Sequence, residues 1–146
     1  MIMIREADER DLQDILTLYK QPDMDGDCLE LEKAKSIFRK IKSYPNYGVY
    51  VAQIDEKVVG TFTLAILDNL VHMGSNTGIV ESVVVSADYQ GQGIGKAMMV
   101  YAMDLCRKKK CYKVSLSSGL KRTEAHGFYE NLGFKIHGYS FLTEIE

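Results

Sequence analysis

Apolar side chains recur along the first half of the chain with a helical period and then with a strand period. One helical stripe follows Asp8, which can cap the helix, and a second stripe follows it. Their members are Leu12, Ile15, Leu16 and Tyr19, and then Leu31, Ala34, Phe38 and Ile41. Residues 47–54 and 57–67 are rich in Val, Tyr, Thr and Ile, and the two-residue link between them predicts an antiparallel hairpin.

The second half predicts a strand–helix–strand crossover and further elements. Residues 78–85 form the most β-branched run, typical of a central strand, and a helical stripe over 94–105 follows. A strand over 112–117 and a short helix ending at Gly133 come next, and the alternating tail from Phe134 predicts one or two final strands. With a short strand over 2–5, this order predicts a single α/β domain over residues 1–146, with a mixed sheet of six to seven strands and about four helices.

Composition and charge restrict the classes of partner. The 146 residues carry a formal net charge of −2, so no global basic field favours nucleic acid or anionic lipid. No apolar run approaches the roughly 18 residues of a membrane span, and the early charges are unlike a secretory signal. The three cysteines and three histidines show no metal-ligand spacing. We therefore expect a cytoplasmic protein without a metal, a nucleic-acid partner or a membrane partner.

The most informative segment is a strand that runs through alternating glycines into a helix. Gly91, Gly93 and Gly95 lie at this junction. Glycines let backbone N–H groups approach a ligand closely, and a helix N-terminus adds unpaired donors and positive partial charge. The turn therefore predicts a site for a phosphate or pyrophosphate, with a turn that binds no ligand as the alternative.

Two nucleotide-binding motifs fail at this turn. A dinucleotide fingerprint that starts at Gly91 needs glycine where the chain has Lys96. A P-loop that ends at Gly95-Lys96 needs glycine at the position of Gln90 and a hydroxyl residue at the position of Ala97. Neither motif describes the phosphate ligand of this turn.

Two motifs resemble the GNAT N-acetyltransferase superfamily. Residues 90–95, Gln-Gly-Gln-Gly-Ile-Gly, match its Q/R-x-x-G-x-G/A signature, and residues 125–134 are similar to its A-x-x-F-Y-x-x-x-G-F block. Element order and length agree as well, so the resemblance covers essentially the whole chain. It implies a GNAT-like sheet that splays after the fourth strand, with acetyl-CoA in the gap as co-substrate. It also implies acetyl transfer to a primary amine by direct attack in a ternary complex.

The resemblance further implies which residues hold acetyl-CoA. The backbone of Val83 and Val85 is expected to pair with the pantetheine arm. The amides of residues 90–95 are expected to hold the pyrophosphate, with Lys96 nearby. The full expected set is Val83, Val84, Val85, Gln90, Gly91, Gln92, Gly93, Ile94, Gly95, Lys96 and Phe128.

Two side chains are candidates for the chemistry. Glu81 is a carboxylate in a run where β-propensity and burial both disfavour one, and a period of two would place it on one face with Val83 and Val85. It is the candidate base for the amine, or else a structural carboxylate paired with a cation or hydroxyl. Tyr129 lies at the family's position for the acid that protonates the leaving thiolate, with a core aromatic as the alternative.

The acceptor is the least determined part of the reaction. Acidic residues between the first two helices could favour a cationic amine, although a solvated loop is the simpler account: Asp23, Asp25, Asp27 and Glu30. Arg122 stands where many family members have Asn, in a stretch similar to acetyltransferases of small amines, which favours a small-molecule amine. The alternatives are a protein lysine or N-terminal acetyltransferase and a catalytically silent acyl-CoA-binding regulatory module. A homodimer is expected by family analogy alone.

Overall fold

The chain divides into two units, and strands make up much of the first. The structure, a computed structural model, describes residues 1–24 and 26–145. Contacts between Cα atoms separate Met1–Ser115 from Leu116–Glu146. The first unit contains β1 (Met3–Glu6), α1 (Leu12–Tyr19), α2 (Leu31–Ser43), β2 (Tyr47–Ile54), β3 (Lys57–Leu67), β4 (Asn76–Val85), α3 (Ile94–Lys108) and β5 (Cys111–Ser115). The second unit contains α4 (Thr123–Asn131).

The sheet of the first unit has the strand order β1-β2-β3-β4-β5. Pairs from β1 to β4 are antiparallel, whereas β4 and β5 are parallel and are joined through α3. The predicted mixed sheet and the β4–α3–β5 crossover are thereby confirmed. The predicted hairpin is confirmed at its predicted bounds, because Asp55 and Glu56 adopt the positive φ angles of 48° and 66° that suit a two-residue turn.

The tail after α4 contains no strand within residues 134–145. The prediction of one or two final strands is wrong, and so is the total of six to seven, because the described residues form five. Alternating side chains meet only one requirement of a strand, since the backbone N–H and C=O groups also need a neighbouring strand. The large apolar side chains of the tail are exposed instead: Ile136, Tyr139, Phe141, Leu142 and Ile145.

Different helices cover the two faces of the sheet. On one face, α1 and α2 contribute Leu12, Ile15 and Phe38 to a buried cluster that includes Val51 of β2 and Val84 of β4. These side chains are the apolar stripes read from the sequence, so burial of the stripes holds both helices against the sheet.

Two glycines let α3 lie close to the other face. A methyl group at Gly60 of β3 would lie 3.1 Å from the Met98 sulfur and 3.2 Å from the Ile94 Cγ2, which is tighter than ordinary packing. A methyl group at Gly78 of β4 would collide with the Cys106 sulfur. α3 therefore packs against a glycine near each of its ends, and this close packing fixes where the helix begins relative to β4.

One edge of β4 is paired along only part of its length. The register with β5 runs over Asn76–Ile79 of β4. The register with β3, on the opposite edge, continues to Val85. The second half of β4 therefore has an edge that β5 does not cover.

Candidate functional site

A β-bulge interrupts β4 next to Glu81. Thr61 and Thr63 of β3 pair with Val84 and Glu81, which leaves two residues of β4 opposite one residue of β3. The first of these two, Ser82, has a φ of 53°, in the left-handed region that few non-glycine residues occupy. An extra residue in a strand shifts the alternation of its side chains by one position.

The bulge places Glu81 and Val85 on opposite faces of the sheet. Glu81 shares a face with Val84, since their partners in β3 are two residues apart, and Val84 packs in the cluster with α1 and α2. Val85 instead pairs with Gly60 of β3, and Gly60 lies against α3 on the other face of the sheet. The prediction that Glu81 shares a face with Val83 and Val85 is therefore wrong, because the inserted residue breaks the period of two.

The Glu81 side chain is exposed, so the burial that its apolar neighbours suggest is not found. Its main-chain oxygen accepts a hydrogen bond of 3.1 Å from the Thr63 hydroxyl. Over residues 1–24 and 26–145, the ion pairs do not include its carboxylate. A structural ion pair therefore does not explain this carboxylate, and it is available to accept a proton from water or from a ligand.

The glycine turn leads into α3 with an uncapped helix start. Gly91 and Gly93 have φ angles of 79° and 82°, which glycine adopts without strain. No side chain caps α3, and its first turn holds no acidic residue. The first bond of α3 runs from the Ala97 N–H to the Gly93 carbonyl at 3.0 Å, so the amides before Ala97 have no intrahelical acceptor. Such a helix start can hold an anion.

The predicted cofactor residues of the first unit lie on one continuous segment, from the second half of β4 to the first turn of α3. The exposed members are Gln90, Gly91, Gln92, Gly93 and Lys96. Val84 and Ile94 are both 1% exposed, so neither residue presents its side chain to a ligand. The segment thus offers main-chain groups and one cation to a ligand.

Gln21, which follows α1, also contacts this segment, although the sequence did not single it out. Its Nε2 donates to the Val85 carbonyl at 3.1 Å, and its Oε1 accepts from the Ala87 N–H at 3.0 Å. Its backbone is held too, because its N–H donates to the Leu18 carbonyl at 3.1 Å and its carbonyl accepts from the Met24 N–H at 2.9 Å. Gln21 therefore fastens the α1–α2 connection to the end of β4.

In the second unit, α4 ends in a Schellman motif that holds the Tyr129 ring. The Phe134 N–H donates to the Tyr129 carbonyl and the Gly133 N–H to the Glu130 carbonyl, both at 3.0 Å, while Gly133 has a φ of 97°. The Phe134 ring centroid lies 5.8 Å from that of Tyr129, and the Phe128 centroid lies 5.1 Å away, both edge-on. The Gly-Phe pair that closes the second motif thus positions Tyr129.

Tyr129 is half-buried. Burial raises the pKa of its hydroxyl because the phenolate would lose hydration, and the charge of Arg122 lowers it by less. The hydroxyl therefore keeps its proton at neutral pH and can donate it.

The described acidic residues between α1 and α2 lie in an exposed connection. Asp25 lies outside the described residues, and Asp23, Asp27 and Glu30 are exposed. No group of three or more metal-binding side chains occurs in the described part of the chain. Within the same residues, no helix is both long and apolar enough to cross a membrane.

Two curated relatives are N-acetyltransferases by name. The chain is 38% identical over 89 residues to glucosamine 6-phosphate N-acetyltransferase of Trypanosoma brucei brucei, with 61% of this chain and 58% of that protein aligned. It is 30% identical over 97 residues to aminoalkylphosphonate N-acetyltransferase of Salmonella typhimurium, with 66% and 62% aligned. The chain thus spans less than two thirds of the length of either relative.

A solved structure and a family match extend the comparison over the chain. A crystal structure described as a transcriptional regulator from Bacillus halodurans C-125 is 26% identical, with a TM-score of 0.92 over 99% of this chain and 100% of that one. The sequence matches the acetyltransferase (GNAT) family over residues 10–134, a span that includes both the glycine turn and the Tyr129 motif. The chain belongs to the GNAT acetyltransferase family.

Proposed function

We propose that this chain transfers the acetyl group of acetyl-CoA to the primary amine of a small molecule. The observation that carries the proposal is the uncovered edge of β4, which leads into the glycine turn at the start of α3. A strand edge pairs with amides of an extended ligand, and a helix start holds phosphates. GNAT acetyltransferases use acetyl-CoA, which has both parts and supplies the acetyl thioester.

The residues of this segment fit that co-substrate. The main chain at Val83 and Val85 would pair with the amides of the pantetheine arm, and Val84 lies between them in the same strand. The amides of residues 90–95 would hold the diphosphate, and Lys96 adds positive charge. A side-chain carbon at Gly91 or Gly93 would meet no atom within 4 Å, so the space beside the turn is open. Phe128 of the second unit completes the proposed cofactor set.

Glu81 is the proposed base. An alkyl amine with a pKa near about 10 is mostly protonated at neutral pH, so a proton must leave before nitrogen can attack. The exposed Glu81 carboxylate can take that proton, directly or through water. Its position on the α1–α2 face supports the proposal that the acceptor amine approaches from that side.

Two further groups serve the acetyl carbonyl and the sulfur. A backbone N–H near Val83 would stabilise the negative charge that develops on the carbonyl oxygen. As the nitrogen–carbon bond forms and the carbon–sulfur bond breaks, Tyr129 would give its proton to the departing sulfur. The new amide nitrogen would release its extra proton, which restores the proton of Tyr129 directly or through water. The hydroxyl stays protonated at neutral pH and the ring is held by Phe128 and Phe134, which supports this assignment.

Relatives support a small acceptor. Glucosamine 6-phosphate and aminoalkylphosphonates, named in two relatives, are both small amines that carry an anionic phosphorus group. A primary amine of this class is therefore the proposed substrate. A protein lysine or N-terminal amine is the alternative within the same chemistry.

The same proposal includes a single domain and a cytoplasmic location. The family match over residues 10–134 crosses the boundary between the two units, which supports one acetyltransferase domain over 1–146. The free thiols of Cys28, Cys106 and Cys111 support a reducing compartment. A homodimer stays a prediction from family analogy.

A regulatory role is the second candidate function. The solved structure described as a transcriptional regulator is 26% identical and covers 99% of this chain, and a silent acyl-CoA sensor would use the same β4 edge and glycine turn. An unpaired Glu81 carboxylate favours the enzyme, because a sensor needs no proton acceptor. The two candidates differ in whether acetyl-CoA is consumed.

The test is thiol release from acetyl-CoA with a panel of amines. We expect release with glucosamine 6-phosphate or an aminoalkylphosphonate to exceed release with a lysine peptide or a free peptide N-terminus. Calorimetry with CoA runs in parallel. Saturable CoA binding without release for any amine would favour the regulatory module, and no binding at millimolar CoA would contradict both candidates.

A further inference from the structure

The Gln21 side chain bonds to the end of β4 as a neighbouring strand would. Its amide accepts from the Ala87 N–H and donates to the Val85 carbonyl, at 3.0 and 3.1 Å. One residue of a parallel neighbouring strand makes the same two contacts through its own N–H and C=O, with a carbonyl of one residue and the N–H of the second residue after it. The orientation of the amide is fixed by chemistry, because the Val85 carbonyl can only accept and the Ala87 N–H can only donate.

These bonds lie on the edge of β4 that β5 leaves uncovered. The Ser86 N–H donates to the Val59 carbonyl of β3 at 2.8 Å, so the main-chain groups of Ser86 face β3. Those of Val85 face the other way, since successive residues of a strand alternate. By the same alternation Val83 presents its N–H and C=O to the uncovered edge. Gln21 therefore occupies the last acceptor of this edge and leaves the groups of Val83 and the N–H of Val85 for a ligand.

We propose that Gln21 is a positioning residue that fixes where the amide arm of the cofactor ends its pairing along β4. The inference rests on the proposed function, because it assumes that CoA is the ligand of this edge. With the Val85 carbonyl satisfied by Gln21, an arm shifted by one pairing position along β4 loses its acceptor. Only the register that uses the Val83 carbonyl and the Val85 N–H keeps every polar group paired.

The backbone of Gln21 makes this position rigid. Its N–H and C=O are bound to Leu18 and Met24, at 3.1 and 2.9 Å. Leu18 is 6% exposed and belongs to the buried cluster, and Met24 packs against that cluster. The amide is thus held in place before a ligand arrives, so pairing does not have to order it.

The test compares two ligands that differ in the arm. CoA carries the pantetheine amides, whereas adenosine 3′,5′-bisphosphate carries phosphates and no amide arm. Gln21→Met removes both hydrogen bonds at similar size, and Gln21→Glu keeps an acceptor for the Ala87 N–H but turns an anion toward the Val85 carbonyl. Gln13→Met is the matched control, since Gln13 is an exposed residue of the preceding helix α1.

We expect calorimetry to show CoA binding weakened about tenfold in both Gln21 variants, because the end of β4 is then no longer held in place and binding has to order it. Binding of adenosine 3′,5′-bisphosphate to the Gln21 variants, and binding of CoA to Gln13→Met, should stay within about twofold of the wild type. A twofold change in affinity is well under the contribution of one hydrogen bond. A merely structural role would weaken both ligands alike. Thermal unfolding of each variant checks that it is folded, and Gln21→Glu serves if Gln21→Met does not fold.

The possible failures are distinguishable. If the wild type binds no CoA, the proposed function fails and this inference fails with it. If the wild type binds CoA and both Gln21 variants bind it equally well, only the inference is overturned. Equal weakening of CoA and of adenosine 3′,5′-bisphosphate also overturns it, because the effect then does not belong to the amide arm.

Discussion

Burial of Tyr129 extends the pH range over which its hydroxyl stays protonated. Burial moves its pKa above the ordinary value, and Arg122 offsets only part of the shift. A proton donor must be protonated to act, so this group is fully competent below its raised pKa and is lost only as the pH rises through it. A fall in turnover between about pH 7 and pH 9 therefore has to come from another group.

Tyr129→Phe tests this assignment directly. We expect turnover to fall about 100-fold, a typical loss for a general acid, while CoA affinity stays within about twofold because the ring remains. Steady-state thiol release and calorimetry measure the two quantities separately. Tyr139→Phe is the control, since Tyr139 is 93% exposed in the same unit. Unchanged turnover in Tyr129→Phe would remove Tyr129 from the mechanism.

Two features of single residues could not be predicted from the sequence. Ser82 adopts a left-handed φ of 53°, but nothing in a serine signals this, whereas glycine or asparagine would have. Gln21 bonds to residues 64 and 66 positions further along the chain, a separation that no local pattern reports. The candidate acid and the glycine turn were recognisable because they lie within short motifs, and the candidate base because it is a carboxylate in an apolar run.

At the scale of elements, local patterns predicted well where the element is held by its own sequence. The hairpin of β2 and β3 has the predicted bounds because its turn and its β-branched runs are adjacent. The crossover through α3 was predictable from one apolar stripe and its glycine start. The absence of final strands was not predictable, because a strand needs a neighbouring strand to pair with. The sequence of the segment itself does not show whether one is there.

Two substitutions of Gly93 test the anion site at the start of α3. Gly93→Glu puts a negative charge beside the free amides of the helix, and Gly93→Gln puts a neutral side chain of the same size there. Both variants carry the strain of a φ of 82°, so their difference isolates the charge. We expect Gly93→Glu to bind CoA at least about tenfold more weakly than Gly93→Gln, by calorimetry at low salt.

Salt provides the control for that pair. The gap between the two variants should narrow at high ionic strength, because screening weakens charge effects at an exposed turn. Equal CoA affinities of Gly93→Glu and Gly93→Gln at low salt would contradict an anion site at the start of α3.

Across the whole first unit, a polar network ties the N-terminus to the sheet. The Arg5 guanidinium donates to both carboxylate oxygens of Asp11, at 2.7 and 2.9 Å, and to Gln53 Oε1 of β2, at 3.0 and 2.9 Å. The Asp8 N–H also donates to Asp11, at 2.8 Å. The Arg5 guanidinium of β1 thus connects β2, through Gln53, with the start of α1, through the buried Asp11.

This network makes stability depend on pH. Burial raises the pKa of Asp11, but the hydrogen bonds from Arg5 and from the Asp8 amide outweigh it, and the net shift is downward. Contact with Arg10 lowers the pKa of Asp8 to about 2. A carboxyl whose folded pKa is depressed stabilises the fold above its unfolded value, near about 4, and that stabilisation is lost as the pH falls further.

Asp11→Asn should therefore lower the free energy of unfolding at pH 7 by about 1 to 3 kcal/mol, since it removes the charged group that accepts two hydrogen bonds from Arg5. Urea unfolding at pH 7 and below about pH 3 measures this, and the gap to wild type should shrink at the lower pH as Asp11 is protonated. Asp14→Asn is the control, because Asp14 is exposed on α1. A gap that is the same at both pH values would show that charge is not the cause.

The register of β4 also limits how the chain can change over time. A substitution between Ile79 and Val85 leaves every other residue of the strand on its own face of the sheet. The gain or loss of one residue instead exchanges the side chains that face α1 with those that face α3. Length in this stretch is therefore constrained more tightly than residue type. In related sequences we therefore expect insertions and deletions between residues 79 and 85 to be rarer than substitutions.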